Sequence, residues 1–169
     1  MARFAGRPEI PREDLGPGIK RCFAKGKDLF ESALVLLDAG KVEAAANVFV
    51  LAAQEIGKAR LLRDACDTGL PRPKIISFSD HHDKIDSAVS VLGPAVMWLK
   101  RGAFQKDAFQ SDAFDIAVPA DEPTRLEVLY VNYGPTGWLN PPPIDAAELR
   151  ANIERALADL PANEEALLR

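Results

Sequence analysis

A glutamate, two lysines and a histidine are the residues of this sequence whose types and spacing could do chemistry together. Glu55 and Lys58 are three positions apart in one segment, and His81 and Lys84 are three apart in the next. Residues at that spacing are neighbours on one face of a helix. A carboxylate, an imidazole and two ammonium groups in one pocket can move a proton and stabilise negative charge on a phosphate. These four residues form the candidate catalytic site.

Glu55 is the most informative of the four because its helical neighbours are apolar. The residues seven, four and three positions before it and four and seven positions after it are Val48, Leu51, Ala52, Ala59 and Leu62. Burying an unpaired carboxylate costs on the order of several kcal/mol, so Glu55 should have a partner or a subunit interface around it. Lys58 is the nearest candidate partner. A Glu–Lys pair that only fixes helix packing explains the same pattern equally well. Gly57, between the two, lets another backbone or a ligand approach closely.

His81 falls, with the adjacent His82, in the first turn of a predicted helix. The positive end of a helix dipole disfavours an imidazolium, which leaves a neutral ring able to accept a proton. His81 is therefore the candidate general base. A histidine that caps the helix or forms hydrogen bonds within the core is the alternative, and it is the more frequent one for an isolated histidine.

Arg125 and Tyr130 form a third pair, which we interpret as a candidate site for RNA or phosphate. The planar guanidinium of an arginine can neutralise a phosphate. Alternatively, Arg125 pairs with Asp121 or Glu122 on the surface, and Tyr130 packs in the core. The sequence has no phosphate-binding glycine loop, no nucleophile elbow and no zinc-binding helix motif, so we expect neither a metal nor a cofactor.

The apolar spacing predicts an all-α fold built on a long antiparallel helix hairpin. One helix should begin at Ile19 and close near Gly40, and the next should run from Lys41 to about Ala65. The short connection at residues 38–40 makes the two helices antiparallel neighbours. A third helix should start near Ser79 or Asp80, either of which can cap it, and Pro94 should kink or divide it.

The second half of the chain is less regular. Residues 104–118 hold spaced aromatics without a clear period, and their structure stays open. A capping box at residues 124–127 favours a short helix, although residues 128–133 could equally be a strand. Residues 134–143 should form a loop, and Asp145 should cap a last helix that ends at Leu160, before Pro161.

Composition indicates one cytoplasmic domain. The 169 residues, 47% of them hydrophobic, suffice for a buried core. Two cysteines, Cys22 and Cys66, are too few for a disulfide framework, and we expect free thiols. No apolar run is long enough for a membrane span, and no signal peptide is present, so a membrane is not an expected partner. We divide the chain into a flexible N-terminal arm (1–16), a helical domain (17–160) and a C-terminal tail (161–169).

The net charge of the chain excludes only some classes of ligand. The formal net charge of −4 argues against indiscriminate attraction to nucleic acid. A local basic site on an acidic protein remains compatible with it.

Three segments carry a resemblance to a known family. They are LAAQEIGKA at residues 51–59, FSDHHDKI at 78–85 and RLEVLYV at 125–131. In this order, the segments resemble the AbiV family of bacterial abortive-infection proteins, over roughly residues 20–155. AbiV proteins look like members of the HEPN superfamily, whose helical domains often dimerise and in many branches cleave RNA without a metal.

The resemblance implies a HEPN-like helical bundle, a homodimer and a role in phage defence, in which translation in an infected cell is shut down. RNA, a translation component or a phage protein are the partners it implies. The usual HEPN ribonuclease motif is an arginine followed by four to six residues and a histidine, whereas here Arg125 is followed by Tyr130. The family's glutamate commonly follows another acidic residue, whereas Gln54 precedes Glu55 here.

Three hypotheses follow from these features. The first is a metal-independent ribonuclease or translation inhibitor, with His81 as base and with Lys58, Lys84 or Arg125 stabilising the phosphorane charge. The second is a non-catalytic helical dimer that binds a phage or translation component. The third is a helical protein of unrelated metabolic role, in which Glu55 and His81 are structural.

Overall fold

The computed structural model describes residues 10–68, 81–96, 132–134, 137–139 and 144–169 of the chain. The helices of this part are α1 (Arg12–Asp38), α2 (Val42–Asp67), α3 (His81–Leu92) and α4 (Ala146–Leu168). A short antiparallel hairpin joins β1 (Asn132–Gly134) to β2 (Gly137–Leu139), with Tyr133 opposite Trp138. The predicted all-α fold is confirmed, with this hairpin as a minor addition.

Helices α1 and α2 form the predicted antiparallel hairpin. Gly40 adopts φ +70°, which a glycine does without steric cost, and the amide of Lys41 donates to the carbonyl of Leu36 at 2.8 Å. The rings of Phe30 and Phe49 lie 5.4 Å apart at the centre of the interface. A Cβ on Gly26 would meet the side chain of Ile56. These contacts fix the register of the two helices.

Helix α2 is the central element because α1, α3 and α4 all pack against it. Its small side chains allow this close packing, and the buried alanines are Ala45, Ala46, Ala52, Ala53 and Ala59. Between Ala45 and Ala59, the positions that are not buried are Asn47, Val48, Leu51, Glu55 and Lys58. We call these five residues the open stripe of α2, and it contains two of the candidate catalytic residues.

The first helix begins at Arg12, earlier than the sequence predicted. Residues 12–16 were assigned to the flexible arm, but they form the first turns of α1. Leu15 explains the difference, since it is only 1% exposed and joins the core. Pro17 lies inside α1. Near the N-terminus its missing N–H costs one helical hydrogen bond, which the burial of Leu15 offsets.

The last helix continues through Pro161 to Leu168, so the prediction that it ends at Leu160 was wrong. Leu167 is 7% exposed, and its carbonyl accepts a hydrogen bond from Nη1 of Arg63 at 3.4 Å. These tertiary contacts hold the segment in helical form despite the proline. The predicted cap is confirmed, because Asp145 Oδ1 accepts from the amides of Ala147 and Glu148.

The third helix agrees with its prediction. It begins at His81 and ends at Leu92, where Gly93 has φ +52°, and residues 94–96 form a further helical turn. Pro94 therefore divides the helix. The strand that residues 128–133 could equally form is present at 132–133, which belong to β1, whereas residues 124–131, where a short helix was favoured, lie outside the described residues. The predicted loop at 134–143 contains β2. Residues 104–118 lie outside the described residues.

Candidate functional site

Glu55 and Lys58 form an ion pair on the open stripe of α2. The Nζ of Lys58 lies 2.5 Å from Oε1 of Glu55, and the two side chains are 22% and 24% exposed. The contact predicted between them is therefore present. The surroundings differ from the predicted apolar stripe, because Leu51 is 45% exposed. The carboxylate lies at the border between the covered and the open face of α2.

The backbone of α3 crosses α2 at the glycine between these two residues. A Cβ on Gly57 would lie 1.7 Å from the carbonyl oxygen of Lys84 and 3.0 Å from its Cα. No side chain fits in that space. The suggestion that Gly57 admits a second backbone is confirmed, and the second backbone is that of α3.

Lys84 itself is buried, with only 4% of its surface exposed. Its side chain is therefore covered in this structure, whereas the ammonium group of Lys58 borders solvent. Helix α3 begins at His81, three residues before Lys84. At a rise of about 1.5 Å per residue, the backbone of His81 is about 4.5 Å along the helix axis from the crossing. The side chain of His81 lies outside the described part of the structure.

Cys22, on α1, is a neighbour of the ion pair that the sequence analysis treated only as a free thiol. The pKa of the Cys22 thiol is raised from 9.0 to about 11, mainly by burial and then by the negative charge of Glu55, while the positive charge of Lys58 opposes the rise. The thiol is therefore protonated at neutral pH. The spacing of Cys22 and Gly26, one turn apart on the face toward α2, is the signal in the sequence that could have identified this position.

The described residues therefore bring three helices to one place. Helix α1 contributes Cys22, α2 contributes the Glu55–Lys58 pair, and α3 contributes its backbone at Lys84. Arg125 and Tyr130 lie outside the described residues. Across the described ranges, no group of three His, Cys, Asp or Glu side chains could hold a metal ion.

A comparison of the sequence with models of known protein families identifies the family of this chain. The family model HEPN_AbiV, described as AbiV, matches residues 15–160, which includes the hairpin, α3 and most of α4. The chain belongs to the AbiV family. This membership indicates a role in abortive infection, and the long hairpin with α3 and α4 packed on it is a HEPN-like helical bundle. Neither the comparison with curated proteins nor the comparison with solved structures finds a match.

Position 54 has a physical explanation in this AbiV protein. Gln54 is 5% exposed, in contrast to the half-buried Glu55 beside it. A second carboxylate there would be a buried charge next to the charge of Glu55, and both burial and like-charge repulsion would oppose it. A neutral amide avoids both costs.

The chemistry available to the site follows from these positions. Lys58 can offer its ammonium group to an anion that competes with Glu55, since both side chains border solvent. The neutral thiol of Cys22 adds no negative charge that would repel such an anion.

In the part of the chain that the structure describes, no helix has the length and apolar composition needed to cross a bilayer.

Proposed function

We propose that this AbiV protein acts in abortive infection as a metal-independent endoribonuclease. Its site consists of the Glu55–Lys58 pair and the first turn of α3. The observation that supports this is the crossing at Gly57, where the Lys84 backbone approaches closer than any side chain would allow. This crossing brings the start of α3, and with it the backbone of His81, to the half-buried ion pair.

The reaction begins at the ribose of the RNA. His81 accepts the proton of a 2′-hydroxyl group, and the 2′-oxygen attacks the adjacent phosphorus. The bond from phosphorus to the 5′-oxygen breaks and that oxygen takes up a proton from water, so the products are a 2′,3′-cyclic phosphate and a 5′-hydroxyl group. Lys58 stabilises the negative charge of the phosphorane, and Glu55 orients Lys58. Lys84 positions α3, while Arg125 and Tyr130 hold the neighbouring phosphate and base.

The test is cleavage of total RNA by purified protein in the presence of EDTA. We expect fragments with cyclic phosphate ends from the wild type. Both His81→Ala and Lys58→Gln should lower the rate, by about 100-fold for the general base. Lys27→Gln is the matched control, because Lys27 is exposed and pairs with Glu31 on α1. Intact RNA with the wild-type protein across several buffers would contradict the proposal.

A second candidate function is a non-catalytic homodimer that binds a translation component or a phage protein. Leu51 favours it, because this leucine is 45% exposed on the open stripe and lies one helical turn before Glu55. A second copy seated on the stripe would cover Leu51 and complete the burial of the ion pair.

The two functions differ in which variant abolishes protection against phage. For the dimer, Leu51→Glu should give a monomer by light scattering and remove protection, whereas His81→Ala should keep it. Val35→Glu serves as control, since Val35 is 67% exposed on α1 between the buried residues Ala33 and Leu37. For the ribonuclease, His81→Ala alone should remove protection. A chain that neither protects cells nor slows their growth would favour the unrelated metabolic role.

A further inference from the structure

A basic segment of α1 adjoins the candidate site. From residue 20 to residue 27 the helix carries four cations and no acid, and all four are exposed: Lys20, Arg21, Lys25 and Lys27. Acids bound the segment on both sides, at Asp14 and Asp28. Because the whole chain has a net charge of −4, these cations form a local exception.

Arg21 and Lys25 are the two of these cations that lie beside Cys22. Lys25 follows Cys22 by three residues and Arg21 by four, so Lys25 is a helical neighbour of both residues. Lys20 and Lys27 are seven residues apart and share the other side. Because Cys22 interacts with the charges of Glu55 and Lys58, the side of α1 that carries Cys22, Lys25 and Arg21 leads toward the ion pair.

Ion pairs among the described residues do not account for the positions of Arg21 and Lys25. On α2, Arg60 and Arg63 each pair with a carboxylate one turn away, at Asp64 and Asp67. One turn after Arg21 comes Lys25 instead, and like charges at that spacing destabilise a helix. Among the described residues, neither Arg21 nor Lys25 makes an ion pair, whereas Lys27 pairs with Glu31 at 3.7 Å.

We propose that Arg21 and Lys25 bind successive phosphates of a single-stranded RNA and lead the strand across Cys22 to the Glu55–Lys58 pair. This inference rests on the proposed function and assigns the surface that receives its substrate. A single strand carries one charge per nucleotide at regular intervals, so it can contact cations on α1 and α2 at once. The protonated thiol of Cys22 between them leaves that path without a negative charge.

The experiment measures binding separately from cleavage. The probe is a fluorescein-labelled oligouridine with 2′-O-methyl groups, which has the phosphates of RNA but no 2′-hydroxyl to attack. Fluorescence anisotropy gives its affinity for the full-length protein over a series of salt concentrations. For Arg21→Gln/Lys25→Gln we expect the slope of log affinity against log salt to fall by about 1.4, since each phosphate contact on a single strand contributes about 0.7.

The same helix offers a matched control. Lys20→Gln/Lys27→Gln removes the same charge from the other side of α1 and should keep the wild-type slope. Arg21→Lys/Lys25→Arg keeps both charges and should keep binding, which separates charge from fold. The inference would be overturned if Arg21→Gln/Lys25→Gln kept the wild-type salt slope, or if both glutamine variants lost the same amount of slope. Displacement of the probe by polyglutamate as effectively as by unlabelled oligomer would overturn it as well.

The binding result and the cleavage result are independent. If only the Arg21 and Lys25 variants reduce the salt slope and RNA stays intact in the cleavage assay, the results support the RNA-binding surface on α1 and contradict the ribonuclease activity. Cleavage that is unaffected by the Arg21 and Lys25 variants, with binding also unaffected, would support the ribonuclease and contradict this surface.

Discussion

The carbonyl oxygen of Lys84 lies 1.7 Å from the point where a Cβ on Gly57 would stand. The contact is with backbone, which cannot rotate away as the end of a side chain can. Helices α2 and α3 are therefore held together at a distance that only glycine permits. The same contact lies within the segment that holds Glu55 and Lys58, so the packing of two helices and the geometry of the candidate site depend on one residue.

Gly57→Ala should destabilise the fold by about 3 kcal/mol, because α3 must move to accommodate the methyl group. Urea denaturation measures the change. Gly26→Ala is the control, since its Cβ would meet the end of the Ile56 side chain at 2.6 Å, and that side chain can rotate. Alanine's higher helix propensity offsets part of that cost, by about 1 kcal/mol. Equal losses in the two variants would contradict the backbone clash.

The Glu55–Lys58 pair should stabilise the fold by about 1 kcal/mol, as measured by a double-mutant cycle with Glu55→Gln and Lys58→Met. Its half-buried position reduces screening by water. The control is the same cycle on Arg60 and Asp64, whose side chains lie 2.9 Å apart and are 41% and 47% exposed. Its coupling energy should be about 0.3–0.5 kcal/mol. A coupling no larger than that of the exposed pair would show that burial adds nothing.

Cys22 should react slowly with iodoacetamide in the folded protein. The pKa of its thiol rises from 9.0 to about 11, so the thiolate fraction near neutral pH falls by about two orders of magnitude. The measurement is the alkylation rate of a Cys66→Ser variant at about pH 8. The same variant in denaturing urea is the control. Similar rates in both states would contradict the burial of the thiol.

The same shift predicts the direction of a pH effect on stability. The folded protein holds the thiol proton more tightly than the unfolded chain does. Between pH 9.0 and about 11 the unfolded chain therefore loses its proton first, and the free energy of unfolding should fall as pH rises. Cys22→Ala should remove this part of the decline.

Leu167→Ala should cost about 2 kcal/mol, because Leu167 is buried against the core beyond Pro161. Leu168→Ala is the control, since the adjacent Leu168 is 36% exposed and its loss should change stability by less than about 0.5 kcal/mol. Thermal or urea unfolding measures both. If the two leucines prove equivalent, the segment after Pro161 does not dock as the structure describes.

Local spacing determined much of this protein directly from its sequence. The positions of the hairpin helices, the cap at Asp145, the division of α3 at Pro94 and the Glu55–Lys58 contact all depend on residues within one or two turns of each other. Helix geometry fixes such distances whatever else the chain does. Three segments of the sequence also carried the family resemblance, which the match over residues 15–160 confirms.

Only the tertiary structure decided which helix faces meet. Three contacts join residues that are far apart in the chain. Cys22 approaches the Glu55–Lys58 pair, the backbone of Lys84 crosses Gly57, and Arg63 binds the carbonyl of Leu167 beyond Pro161. Burial of Leu15 and Leu167 likewise extended two helices beyond their predicted ends. Such contacts depend on the packing energy of the whole core, which can outweigh a local preference as strong as that of a proline against a helix.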